Sequence, residues 1–239
     1  MGKSMLGLFV TATDTGAGKT FVTAAVARTL RERGTAVRVC KPVATGAEWI
    51  DGRWLSEDTR ILAEAAGDRD YERITPWVFP TPAAPPVAAR VAGVSLRLDE
   101  LADAVRRRAV PGALVLAEGV GGLLCPLTER ETVADLAAEL GWPLLVVARR
   151  SLGTLNHTLM TLEVARGRRL RVAGVVVSET TPATGAAEET NVEELRRRIS
   201  VPLLAVVPHR RDRLPVASPE LAAVDWRRLA EFGGKQDPE

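Results

Sequence analysis

The sequence is poor in the residues that staple, chelate or anchor a protein: it has two cysteines and two histidines among 239 residues. Cys40 and Cys125 both stand beside apolar residues, which suits a reducing compartment and argues against a disulfide framework. No metal cluster can be assembled from them. His157 and His209 have no carboxylate and nucleophile in triad order, so no Ser-His-Asp hydrolase is visible and both histidines read as structural or surface groups. An excess of either charge is missing too. Lys and Arg total 32 against 30 Asp and Glu, and a net charge of +2 gives no global field for nucleic acid. The arginines at Arg106–Arg108, Arg166–Arg171, Arg196–Arg198 and Arg210–Arg213 fall mostly at predicted helix ends, where cations suit the dipole, and read as solvated surface. No apolar run approaches the length of a membrane span, and Met1-Gly2-Lys3-Ser4-Met5 lacks a signal core, so a cytoplasmic protein with no membrane partner is expected.

What the chain does have is core-forming material, at 46% hydrophobic residues. That suffices for one large α/β domain, expected over residues 1–232, with a polar tail at 233–239 expected to be disordered. No internal repeat or linker interrupts it. Short apolar runs at Leu6–Thr11, Ala36–Cys40, Ala113–Ala117, Pro143–Ala148, Val172–Val177 and Pro202–Val207 read as buried strands. Between them Lys19–Arg33, Leu98–Arg108, Val133–Leu140, Leu155–Arg166 and Glu188–Ile199 carry apolar residues at helical spacing. This alternation predicts an α/β fold, a doubly wound, mostly parallel sheet with helices on both faces. Ligands of such sheets sit beyond the carboxyl ends of the strands.

The first strand empties into Thr11-Ala12-Thr13-Asp14-Thr15-Gly16-Ala17-Gly18-Lys19-Thr20. Strand, glycine-bearing turn and Gly-Lys-Thr opening a helix are the parts of a phosphate-binding loop, and they predict a P-loop NTPase-like fold. Turn N–H groups and the positive end of the helix dipole would cradle phosphate, Lys19 would reach the terminal phosphates and the Thr20 hydroxyl would ligate Mg²⁺. Ala12 stands where the pattern has glycine, and it serves if its φ is negative.

Each later strand end carries its own residues: Lys41-Pro42-Val43-Ala44-Thr45-Gly46, then Glu118-Gly119-Val120-Gly121-Gly122, then Arg149 to His157, then Ser178 to Pro182. All are expected to point into one crevice. Phosphoryl transfer requires charge neutralisation around the γ-phosphate, which two lysines and a magnesium ion supply. Thr20 and Glu118 suit the few oxygen ligands that Mg²⁺ takes from protein; Asp58 either completes the set or is an acid at a helix N-terminus. Thr75 to Pro86, with five prolines, reads as a loop, either a binding loop or a plain surface connection.

The blocks Thr13-Asp14-Thr15-x-x-Gly18-Lys19-Thr20, Lys41-Pro42-Val43-x-Thr45-Gly46, Glu118-Gly119-x-Gly121-Gly122 and Leu152-Gly153-Thr154-Leu155-Asn156-His157, in this order, resemble dethiobiotin synthetase. The resemblance spans about Leu6 to Pro208. It implies a homodimeric enzyme that uses ATP and Mg²⁺ to close a ring on 7,8-diaminopelargonate and CO₂ through a carbamate and a carbamic–phosphoric anhydride. By position, it implies Lys19, Lys41 and Thr15 as catalytic residues and Thr20, Asp58 and Glu118 as metal ligands. The nucleotide would lie against Gly16, Ala17, Gly18, Lys19, Thr20, Phe21, Glu118, Ser178 and Pro208. The diamine would meet Lys41, Thr45, Pro82 and Ala84, with its distant carboxylate on the N–H groups of Gly153, Thr154 and Leu155 and with Asn156 at the dimer interface. Gly16 stands where the family often has an acidic residue, and Ser178 where it commonly has an asparagine reading the adenine edge. A lone hydroxyl does not reproduce that two-point contact, so weak discrimination among nucleoside triphosphates is expected. Asn191 falls where an aromatic of the partner subunit lines the site. Two alternatives share a similar loop: a partition-type ATPase switch and a cobyrinate-type amidoligase.

Overall fold

The first strand, β1 (Leu6–Ala12), is buried along its whole length, as its unbroken apolar run requires of a strand covered on both faces. The computed structural model describes residues 6–182, 185–209 and 217–231; the predicted tail and Arg210–Arg213 lie outside them. After β1 come α1 (Lys19–Glu32), β2 (Val37–Cys40), β3 (Val43–Thr45), β4 (Glu48–Ile50), β5 (Arg53–Leu55), α2 (Glu57–Ala66), α3 (Tyr71–Ile74), β6 (Trp77–Phe79), α4 (Pro85–Val91) and α5 (Leu98–Arg106). The chain continues through β7 (Leu114–Glu118), α6 (Val133–Leu140), β8 (Leu144–Arg149), α7 (Thr154–Gly167), β9 (Val172–Ser178), α8 (Ala186–Arg198), β10 (Leu203–Val207), α9 (Pro219–Ala222) and α10 (Trp226–Glu231).

Six strands form one sheet in the order β10-β9-β8-β1-β7-β2, every pairing parallel. The chain winds one way from β1 through β8 to β10 and the other way to β7 and β2, so the order reverses beside β1. One face of the sheet packs Leu8, Val10, Val39 and Leu116 against α1, α2, α9 and α10, through Val22, Leu62, Leu221 and Trp226 among others. The other packs Phe9, Val115, Val146 and Val175 against α4, α5, α6 and α8, through Ala88, Leu101, Leu136 and Leu195. Each fully buried side chain of this kind contributes roughly 1.5–3 kcal/mol. Gly7 in β1 is a forced choice, because a Cβ there would lie 2.3 Å from the Trp142 ring.

All six predicted sheet strands and all five predicted helices are present, with ends shifted by one or two residues. The proline-rich segment is not a loop throughout. Trp77–Phe79 pairs in parallel with Val43–Thr45 outside the main sheet, and Pro85 and Pro86 occupy the first turn of α4. Both placements obey the backbone rules: a three-residue strand of a small separate sheet contains no proline, and a helix's first turn needs no proline N–H. The β4–β5 hairpin was not anticipated, and α2 was anticipated only through the alternative that set Asp58 at a helix N-terminus. The hairpin turns at Asp51-Gly52, with φ of 50° and 78°, which is the dipeptide and backbone of a two-residue hairpin turn. Among the described residues no helix is long and apolar enough to cross a membrane.

Candidate active site

The register of three neighbouring strands brings the charged residues together. Val10 of β1 pairs with Glu118 at the end of β7, and Cys40 of β2 pairs with Ala117. One residue further along, Lys41 therefore stands beside Glu118, and both face the turn that follows β1. Ala12 is the last residue of that strand and has no positive φ, so alanine meets the requirement of the position without strain. The turn bends at Gly16, with φ of 73°, and at Gly18, which precedes α1 with φ of 89°.

Lys41 is 4% exposed and donates from Nζ to Glu118 Oε1 at 2.7 Å and to Asp58 Oδ2 at 2.8 Å. The Thr20 hydroxyl donates to the same Glu118 oxygen at 2.7 Å. Lys19 Nζ donates to the Gly121 carbonyl at 2.8 Å. Burial pushes the Lys41 ammonium down, but the Glu118 and Asp58 carboxylates beside it carry it above the usual lysine value. Lys19 goes the other way: burial, aided by the Lys41 charge, outweighs Glu118 and lowers it. For Asp58, burial works against ionisation and is overcome by Lys41 and the Thr20 hydroxyl, so its carboxyl is held below the usual range. Asp58 is also the second residue of α2, whose Ser56 cap accepts the Thr59 N–H at 3.1 Å. The two roles left open for it by the sequence are thus compatible.

A cavity of about 590 Å³ lies over this cluster, lined by Thr15, Gly16, Gly18, Lys19, Thr20, Phe21, Lys41, Thr45, Glu57, Asp58, Val120 and Gly121. It is walled by the ends of three strands, β1, β2 and β7, together with β3 and the first turn of α2. The residues after β8 and β9, on the far side of β1, do not line this cavity, although Ser178 at the end of β9 and Thr180 after it pack against Gly18 of the phosphate loop. Asn156 and His157 of α7 border a second, mainly apolar cavity of about 730 Å³ with Thr13, Asp14, Thr15, the 121–125 loop and Met160. The two cavities meet at Thr15 and Gly121.

Gly153, with φ of 90°, precedes α7; the Thr154 N–H already donates to the Ser151 carbonyl at 3.1 Å, and Gly153, Thr154 and Leu155 line neither cavity. Ser178 is 3% exposed and packs over the phosphate loop, where a Cβ on Gly18 would lie 2.5 Å from its Oγ. Ala17 is buried and Pro208 exposed at the end of β10. Pro82 and Ala84 are exposed, and Pro82 lies against Gly46, whose N–H donates to the Thr81 carbonyl at 3.3 Å. Asn191, aligned with a site-lining aromatic, is instead buried with its Nδ2 on the Ser151 carbonyl at 2.9 Å, so it secures the loop before α7. Sequence reasoning missed Glu57; the signal was available in Ser56-Glu57-Asp58, a cap followed by first-turn acids.

Residues 6–215 match the model of the AAA domain family. The chain is 43% identical over 202 residues to an ATP-dependent dethiobiotin synthetase BioD of Aromatoleum aromaticum, covering 84% of this chain and 89% of that protein. It is 45% identical over 206 residues to the protein of the same name from a strain of Anaeromyxobacter dehalogenans, covering 85% and 90%. In fold alone it is similar to the MinD cell division protein of Aquifex aeolicus, at a TM-score of 0.55 and 13% identity over 98% of this chain and all of that one. Identity at this level, sustained over most of both chains, places the protein in the family of ATP-dependent dethiobiotin synthetases.

Proposed function

We propose that the chain closes the ring of dethiobiotin, in biotin synthesis, from 7,8-diaminopelargonate, CO₂ and ATP at the cavity over Lys19, Lys41 and Glu118. The observation that carries this reading is the meeting of Lys19, Thr20, Lys41 and Asp58 at one cavity over buried Glu118, with the phosphate loop and Thr45 in its lining. One amine adds CO₂, losing a proton, and becomes a carbamate. A carbamate oxygen attacks the γ-phosphorus and ADP leaves. The second amine then attacks the carbonyl carbon of the mixed anhydride, closes the five-membered ring and expels phosphate. The Lys41 ammonium, kept charged by its carboxylate neighbours, suits the anionic carbamate, and Lys19 suits the transferring phosphoryl group. Thr15, shared by both cavities, fits a place between the two reactants.

The donor set suits magnesium. Glu118 Oε2 is buried without a hydrogen-bond partner among the described residues, an arrangement that is costly unless something completes it. With the Thr20 hydroxyl and Asp58 it offers only hard oxygens, the few protein ligands that Mg²⁺ takes. Thr20, Asp58 and Glu118 would hold the ion, which supplies charge neutralisation on the β- and γ-phosphate oxygens.

The base has less to hold it. Ser178 is turned onto Gly18, which supports our expectation of weak discrimination among nucleoside triphosphates. Comparable kcat/KM for ATP and several alternatives is the expected result, and a strong ATP preference counts against it. A homodimer is supported by exposed Leu124 and Met160 at the apolar cavity and by exposed Leu152 ahead of α7, and a cytoplasmic setting by the free thiols. The whole reading is tested by phosphate release, which should require both diamine and bicarbonate. Full-rate hydrolysis without the diamine would remove it in favour of an ATPase switch.

A further inference from the structure

We propose that Glu57 is the carboxylate that receives an ammonium group of the diamine; the assignment rests on the reaction proposed above. Glu57 is the first residue of α2 and lines the same cavity as Lys19, Lys41 and Thr45. Two carboxylates, Glu57 and Asp58, line that cavity, a third, Glu118, is buried beneath it, and the last two are already engaged. Glu118 takes Lys41 and Thr20 on one oxygen, and Asp58 takes Lys41. Glu57 makes no hydrogen bond or ion pair with any described residue, although Lys41 is near enough to satisfy its neighbour Asp58.

The charge count gives this free carboxylate a purpose. Lys19 and Lys41 balance Asp58 and Glu118, which leaves Glu57 as the carboxylate at this cavity without a side-chain partner among the described residues. The substrate carries two alkylamines on adjacent carbons; one is an ammonium at neutral pH, as an isolated alkylamine with a pKa of about 10.4 would be, and its charge lowers the pKa of the other. A diamine approaching two ammonium side chains gains from a fixed negative charge, and Glu57, in the first turn of α2, supplies one at the same cavity. Glu57 is exposed at the rim of the cavity, and a carboxylate–ammonium contact is among the stronger hydrogen bonds. It also separates a diamine from a monoamine of the same length, because only the diamine has a second nitrogen to place at Glu57 once the other has gone to the carbamate.

The test compares the intact protein with Glu57→Gln and Glu57→Asp. Binding of 7,8-diaminopelargonate is measured by calorimetry in the presence of a non-hydrolysable ATP analogue and Mg²⁺, and the diamine KM by phosphate release. Glu57→Gln should weaken diamine binding and raise its KM by about tenfold or more, with no matching loss of affinity for the ATP analogue, while Glu57→Asp should recover most of the loss. Unchanged diamine binding in Glu57→Gln overturns the assignment. So does a variant whose defect lies in its Mg²⁺ requirement instead, since that makes Glu57 a neighbour of the metal. If the unsubstituted protein neither binds the diamine nor couples it to phosphate release, the reaction itself falls and the assignment falls with it; wild-type binding matched by an unaltered variant removes Glu57 alone.

Discussion

Replacing Lys41 exposes how tightly stability and activity are tied at this site. Glu118 is wholly buried and Lys41 is its cationic partner, so Lys41→Gln leaves a carboxylate in the interior without compensation. Such a break costs about 3–5 kcal/mol, and loss of the ammonium that faces the carbamate should lower kcat by about 100-fold or more. Urea unfolding and phosphate release read the two effects separately. Turnover near the unsubstituted level would refute the role given to Lys41, whatever the stability. The two thiols illustrate a residue effect without chemistry. Burial pushes the Cys40 thiol up to about 12, whereas Cys125 is half-buried. A thiolate reagent at neutral pH should therefore modify one thiol of the native protein, Cys125, and reach Cys40 only after denaturation. Rapid labelling of both would mean that β2 is not packed as described.

At the scale of elements, β2 is an edge strand, and Arg108 holds it. Its Nε donates to the Val39 carbonyl at 3.0 Å, and Nη2 reaches Asp68 Oδ2 at 2.5 Å, joining the end of α5 to β2 and to the α2–α3 connection. Arg108→Met keeps much of the volume but leaves a carbonyl and a nearly buried carboxylate unpaired, for a loss of about 2–4 kcal/mol at neutral pH. Burial alone would raise the Asp68 pKa; the Asp70 N–H and the Arg108 guanidinium overcome it and hold it low. A carboxylate lowered in this way stabilises the fold above its unfolded pKa of about 3.9, and the contribution is lost as pH falls through the lower folded value. The gap between variant and parent, followed by unfolding at successive pH values, should narrow only in that acid range. A gap that stays constant into strong acid would show that the ion pair is not its source. The hairpin and α2 show where element-level reading stopped short. Asp51-Gly52 between Trp49 and Trp54, and Ser56 ahead of first-turn acids with Gly67 closing the helix, are local signals as explicit as those of the elements that were found. The hairpin, largely exposed, has no continuous apolar run of the kind that marks the buried strands.

For the molecule as a whole, two cores on opposite faces of one sheet share every central strand, so neither is expected to unfold without the other. Calorimetry should show a single cooperative transition whose calorimetric and van't Hoff enthalpies agree. Two resolved transitions would contradict the single domain expected for residues 1–232. ATP with Mg²⁺ at about 100 times its dissociation constant should stabilise the native protein by about 2.7 kcal/mol, and an unmoved transition would mean that the nucleotide does not bind the folded state.

The sequence by itself determined the six buried strands, the helices between them and the phosphate loop, because hydrophobic period, strand-forming side chains and the Gly-Lys-Thr turn are local properties. It also supplied Lys41, Asp58 and Glu118 as candidates, one strand end at a time. Only the tertiary structure decided that they touch. β7 is inserted between β1 and β2, strands that are consecutive in the main sheet's share of the chain, and its register sets Glu118 against Val10 on one side and next to Lys41 on the other. Strand order is settled by which helices cover which face and how the connections cross the sheet. No single segment carries that information, and so neither the buried ion pair nor the free carboxylate of Glu57 beside it was visible before the chain was folded.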